Sequence, residues 1–326
     1  MARVYHRDQA GAPALTYNTN PTARTHYDAL KMILKACLVY GYGTTPPAGW
    51  ELIYEAADSL ILRTGTHSGY VCFLRNSGSH AVEVWLAATY EGVDAEGKII
   101  GAGVRSGVSG SSSLPQRFPV ATLAYHTAST TWALVADEGT VVMSLSGHLN
   151  TGPTEVTSSS VGNQSYANFT LYCGDDSAGD LICIGGVNTT STTPAVSFSS
   201  AGFTALKYPD SGLLVDTGAI SVLTPGLFTT PSYHPNLGDV VLPAAHLQPM
   251  SWLSNRVSRL LRGIAVDVRL SHAHNSHVSQ ALGGPPLTTR TMHTLLDLGD
   301  GHGYLVGRSY PGHSISMLLT TNPEFW

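Results

Sequence analysis

Histidines supply the first candidates for chemistry. His272 and His274 form a His-x-His pair within RLSHAHNSHVSQ, and His277 follows three residues later. Residues two apart on a strand share a face, so His272 and His274 could offer two imidazoles to one transition metal. Asn275-Ser276 has the turn-forming character to bring His277 around. No spaced carboxylate and no HExxH helix supports the trio, so His272, His274 and His277 are read as polar loop or interface histidines. Zinc is a matter for measurement, and no metal ligand is assigned. His293, His302 and His313 lie near Asp297 and Asp300, where a two-group acid/base arrangement can be imagined. DLGDGHG fits a turn between strands more directly, and no catalytic residue is assigned there.

Other signatures fail on their spacing. GYGTTPPAG has glycines but no GxxxxGK[ST] run, and its prolines oppose a phosphate cradle leading into a helix. SGVSGSS lacks the strand-to-helix setting of a Gly-x-Ser-x-Gly elbow. DSAGD and DLGDGHG are small acidic turns without the terminal Glu of a calcium loop. Cys37, Cys72, Cys173 and Cys183 share no CxxC and are read as buried thiols, Cys37 on the apolar side of a helix. Trp50, Trp85, Trp132, Trp252 and Trp326 are dispersed, which suits core or interface packing better than a stacking platform. Trp326 is costly to leave hydrated and is expected to lock onto this chain or a neighbour. No cofactor-binding residue and no cofactor is assigned, and no enzyme activity is expected.

Composition narrows the partners. Among 326 residues, 17 basic and 22 acidic side chains give a net charge of −5, with only 12% of residues charged. That balance offers no broad basic surface for phosphate backbones or anionic lipid, so direct nucleic-acid binding and membrane insertion are not expected. No run reaches the 18 apolar residues of a spanning helix, and MARVYHRDQAG lacks the apolar core of a signal peptide. The chain is accordingly expected to be soluble and made in a reducing cytoplasm.

The elements that would position any site are mostly strands. Tyr27, Leu30, Ile33, Leu34, Cys37 and Leu38 recur at helical spacing, predicting a helix over about 25–40 with Asp28, Lys31 and Lys35 facing water. Thr25 and Asp28 resemble a capping box, and Gly41, Gly43, Pro46 and Pro47 stop the helix. Strands are predicted at 51–54, 59–63, 70–74 and 81–90, with a hairpin about Asp137-Glu138-Gly139 and another pair around 175–179. Candidate strands continue to SISMLLTT, although 251–261 also has spacing compatible with a short helix. Polar stretches at 101–116, 150–166 and 189–202 read as loops or connections. The expected fold class is α+β and strand-rich: a helix on an antiparallel sheet in an N-terminal domain, residues 1–195, and a mainly β C-terminal domain, residues 196–326.

Several of these segments resemble a family of tailed-bacteriophage virion structural proteins. The resemblance rests on Gly11-Ala12-Pro13 with Leu15, on Ala36-Cys37-Leu38-Val39 followed by Gly41 and Gly43, and on Ala48-Gly49-Trp50. It continues through Trp132-Ala133-Leu134-Val135-Ala136-Asp137-Glu138, Gly174-Asp175 and Gly179-Asp180. It covers the first 190 residues best, and Leu261-Arg262-Gly263 and the section from Gly307-Arg308 to Leu319 are compatible with it. The resemblance implies a non-enzymatic part of a virion tail, at the tail tip or baseplate, used in several copies beside other tail or baseplate proteins. A head-to-tail connector or capsid-associated protein is the nearest alternative, and a carbohydrate-binding host-recognition module is another.

Overall fold

The computed structural model describes residues 1–14, 23–75, 81–105, 117–119, 131–146, 168–185, 203–207, 212–214, 248–253, 258–266, 295–297, 300–307 and 317–326. Within them the fold is mixed, with one N-terminal helix and three larger antiparallel sheets, none closed into a barrel. Strands are numbered in chain order.

The first sheet follows the predicted meander. Strands β2 (Glu51–Glu55), β3 (Ser59–Arg63), β4 (Tyr70–Arg75) and β5 (Ala81–Ala87) pair in sequence, and β8 (Arg117–Pro119) adds an edge. The short hairpin of β6 (Gly92–Val93) and β7 (Ile99–Ile100) belongs to the excursion that follows β5. That excursion returns to the sheet, because the Arg105 and Leu86 backbones exchange hydrogen bonds.

The central sheet has the order β1 (Arg3–His6), β9 (Thr131–Ala136), β10 (Thr140–Ser146), β11 (Asn168–Asp175), β12 (Leu181–Gly185) and β13 (Phe203–Ala205). Its strands alternate two apolar faces. Trp132, Leu134 and Ala136 face the helix and the first sheet, whereas Ala133 and Val135 face the other way. Burial on both sides is why TWALVA reads as an unbroken apolar run. The third sheet has the order β14 (Gln248–Leu253), β15 (Ser258–Val266), β18 (Met317–Thr320), β17 (Gly303–Gly307) and β16 (Leu295–Asp297). It covers the second face of the central sheet through Leu261, Ile264 and Leu319.

Helix α1 (Ala23–Lys35) runs into a π-helical turn over Ala36–Tyr40. Its predicted stripe is buried, with Leu30, Ile33, Leu34, Cys37 and Leu38 in the core between the first and central sheets. The Tyr27 hydroxyl donates to Phe73 O at 2.7 Å. Two details differ from expectation. The helix already includes Ala23, so Thr25 stands inside it rather than capping it. Lys31 is only 7% exposed, because its ammonium donates to Ala56 O (2.9 Å) and Ala57 O (3.1 Å) at the β2–β3 turn. Those carbonyls replace the water that the charge gives up.

The compatible helix over 251–261 is not formed. Gln248–Leu253 and Ser258–Val266 are paired strands. The N-terminal RVYH, which carries no strong strand pattern, supplies the edge strand β1. Strand β13 extends the central sheet to Ala205, and Leu206 enters the same core as the helix.

Candidate functional site

Polar side chains concentrate where three turns of the first and central sheets meet strand β15. The β9–β10 turn starts the arrangement. Asp137 Oδ1 accepts from the backbone N–H of Gly139 and Thr140, both at 2.9 Å, a local bond pattern that fixes the reversal. Asp137 O accepts the Trp50 indole N–H at 2.9 Å, and Glu138 O accepts from Gly65 N at 2.8 Å. One turn therefore gathers chain from residues 50, 65 and 139.

The β11–β12 turn packs directly on it. Gly174 has φ 136°, and a Cβ there would collide with Gly139 O and Thr140 Cα, so only glycine permits this approach. The Asp175 backbone donates to Gly139 O at 2.9 Å, and its carbonyl accepts from Thr140 Oγ1 at 2.8 Å and from the Tyr172 hydroxyl. The Asp175 carboxylate accepts the Thr66 hydroxyl at 2.7 Å and the Ser68 hydroxyl, both from the β3–β4 turn. Burial pushes the Asp175 carboxyl above the usual aspartate range, against these hydrogen bonds and the nearby Arg262 charge. His67, at φ 62° in the same turn, places Nε2 3.2 Å from Glu51 Oε1.

Strand β15 brings the cations. Pairings on β14 resume at Leu260 after Ala265, so Leu261, Arg262, Gly263 and Ile264 bulge opposite Met250. Such a bulge redirects side chains, and here it sends Arg262 into the turns. Arg262 Nη2 lies 2.6 Å from Asp137 Oδ2, Nη1 donates to Thr140 Oγ1 at 3.2 Å, and its backbone N–H donates to the Tyr172 hydroxyl. Gly263, at φ 70°, leaves room for the Trp326 ring, which a Cβ would approach to 2.5 Å. Trp326 Nε1 donates to Thr320 O at 2.7 Å, and its ring lies under the Arg262 guanidinium. The terminal indole thus packs on its own chain. Arg259 pairs with Asp180 at 3.4 Å, and Ser177 exchanges hydrogen bonds with Leu260.

The chemical consequence is a seam: hydroxyls, carboxylates and guanidiniums clamp the central sheet to the third sheet on one side and to the first sheet on the other. The sequence marks Asp137 and Asp175 at turns between strands and Arg262 inside a resemblance segment, and it carries no signal for Thr66, Ser68 and Thr140. The signal available was the Asp-Glu-Gly turn and the Leu-Arg-Gly sequence. Their partners lie up to 125 residues away.

His272, His274, His277, His293 and His313 lie outside the described residues. Of the second histidine group, the His302 backbone N–H donates to Asp300 Oδ1 at 3.0 Å, and the Tyr304 hydroxyl donates to the other Asp300 oxygen, a turn as expected. Among the described residues, no group of three or more His, Cys, Asp or Glu is arranged to hold a metal. All four cysteines are buried free thiols, and burial pushes Cys37 well above its ordinary range. Cys173 and Cys183 face each other across β11 and β12. No helix among the described residues is long and apolar enough to cross a membrane.

Comparison with protein-family models, with curated proteins and with solved structures finds no match.

Proposed function

We propose that this chain is a non-enzymatic structural subunit of a bacteriophage tail or baseplate, made in the host cytoplasm and assembled in the virion. In this role it contacts other copies of itself and adjoining tail proteins. The carrying observation is the convergence of the segments on which the resemblance rests. Trp50, Asp137, Glu138, Gly174, Asp175, Arg262 and Gly263 meet at one seam, where the Trp50 indole N–H, the Asp137 and Asp175 carboxylates and the Arg262 guanidinium are occupied by partners within the chain. Residues committed in this way build a rigid block, which suits a subunit that transmits contact between neighbours. Quantitative mass spectrometry of purified particles tests the reading. A fixed copy number above one per particle supports it, and absence from particles removes it.

A carbohydrate-recognition reading draws on another surface. Tyr54, Tyr70, Trp85 and Tyr90 are half-buried on the outer face of the first sheet, with the Tyr70 and Tyr90 rings 6.1 Å apart. Aromatic faces of this kind can stack on sugar rings. Saturable binding on a glycan array, lost in Tyr70→Ala, would favour this reading over assembly.

A further inference from the structure

Asp137 and Asp175 sit at the same seam but are held in opposite ways. Asp137 receives donors alone: two backbone N–H groups and the Arg262 guanidinium. No acceptor stands among those partners. Asp175 receives two hydroxyls, from Thr66 at 2.7 Å and from Ser68, while the nearby guanidinium is directed to Asp137 and Thr140. A hydroxyl both donates and accepts, so a protonated Asp175 keeps both bonds by donating its own proton to one of them. Thr64 Oγ1, 2.9 Å from Ser68 Oγ, extends this reversible chain.

Burial favours the protonated form, while the charges around the site act in both senses. Asp137 and Glu138 come from the β9–β10 turn, Asp176 and Asp180 from the β11–β12 turn, and Arg259 and Arg262 from β15. On the β3–β4 side, His67 pairs with Glu51, which Arg63 also holds. Asp175 is itself only 3% exposed, so an anion there has little water to offset its burial.

We propose that Asp175 is a proton-operated latch: as pH falls it takes up a proton between the Thr66 and Ser68 hydroxyls, and the join between the central sheet and the β3–β4 turn of the first sheet tightens. The folded chain then binds this proton more tightly than the unfolded chain does. The stability contribution of Asp175 is therefore smallest at high pH and is gained as pH falls through its folded-state titration. This inference stands independently of any role in a virion.

Thermal melts of the full chain and its Asp175→Asn variant, from about pH 8 to about pH 4, test the latch. The neutral amide can donate to one hydroxyl and accept from the other, mimicking the protonated acid. The variant is expected to melt at least about 2 °C above the parent at the alkaline end, with the gap closing toward zero in acid. A variant that melts lower than the parent by the same margin at every pH overturns the proposal. Should the variant fail to fold, the parent decides. With aspartate carboxyl carbons labelled with carbon-13, an Asp175 midpoint above those of surface aspartates supports the latch. A midpoint at or below them overturns it.

Discussion

Arg262 spans more sequence than any other side chain at the seam, and its removal leaves a specific debt. Its partner Asp137 is 6% exposed and would keep a carboxylate supported by two backbone N–H groups alone. Breaking one side of a buried pair is expected to cost about 3 kcal/mol, so Arg262→Ala should lower the urea midpoint without changing far-UV circular dichroism in water. Gly174→Ala should cost at least about 2 kcal/mol, since the methyl meets backbone that cannot swing aside and φ 136° strains any L side chain. Neither effect is readable from local sequence. The glycine lies within a strand and the arginine within an apolar run, and the contacts that define them come from other turns. Lys31 teaches the same lesson. Its position on the helix predicts exposure, yet two carbonyls of a neighbouring turn draw its ammonium inward.

At the scale of elements, a repeated aspartate device shapes the reversals. Asp94, Asp137, Asp176 and Asp300 each accept backbone N–H groups from residues two to four positions on. Asp94→Ala should therefore loosen the β6–β7 hairpin and cost about 1 kcal/mol, read as faster amide exchange at Lys98. The same chemistry makes the turns at Asp137, Asp176 and Asp300 legible, because Asp with a nearby Gly marks a reversal in the residues themselves, whereas the Asp94 hairpin is not among the predicted elements. The helix was legible through its stripe, and Leu34→Ala should cost about 2–5 kcal/mol by denaturant titration, whereas Met32→Gln, at a half-exposed position, should be nearly neutral. Strand β1 was not legible, since RVYH is short and acquires its extended form from pairing with β9. The alternative helical spacing in 251–261 is not realised, because residues 251–253 and 258–261 belong to paired strands.

The whole molecule is layered, with a central sheet buried on both faces and locked at the seam. Its pH response combines opposite contributions. The Arg63 hydrogen bond holds the Glu51 carboxyl below the usual range, so stability from this pair is present at neutral pH and lost as pH falls through the folded titration. Glu51→Gln should flatten the acid side of the melting curve, while Asp175 acts in the reverse sense. Fold class was readable because strand-rich, low-charge sequence with a single helical stripe admits few layerings. The way the sheets are joined was not, because it depends on pairings across more than a hundred residues. The central claim is that this rigid block is a repeated part of a tail or baseplate. Cryo-electron microscopy of intact particles tests it most directly. The account predicts density matching the three stacked sheets, in several symmetry-related copies at the distal tail and buried against other virion proteins. Density confined to the portal or capsid, or none in the particle, would contradict it.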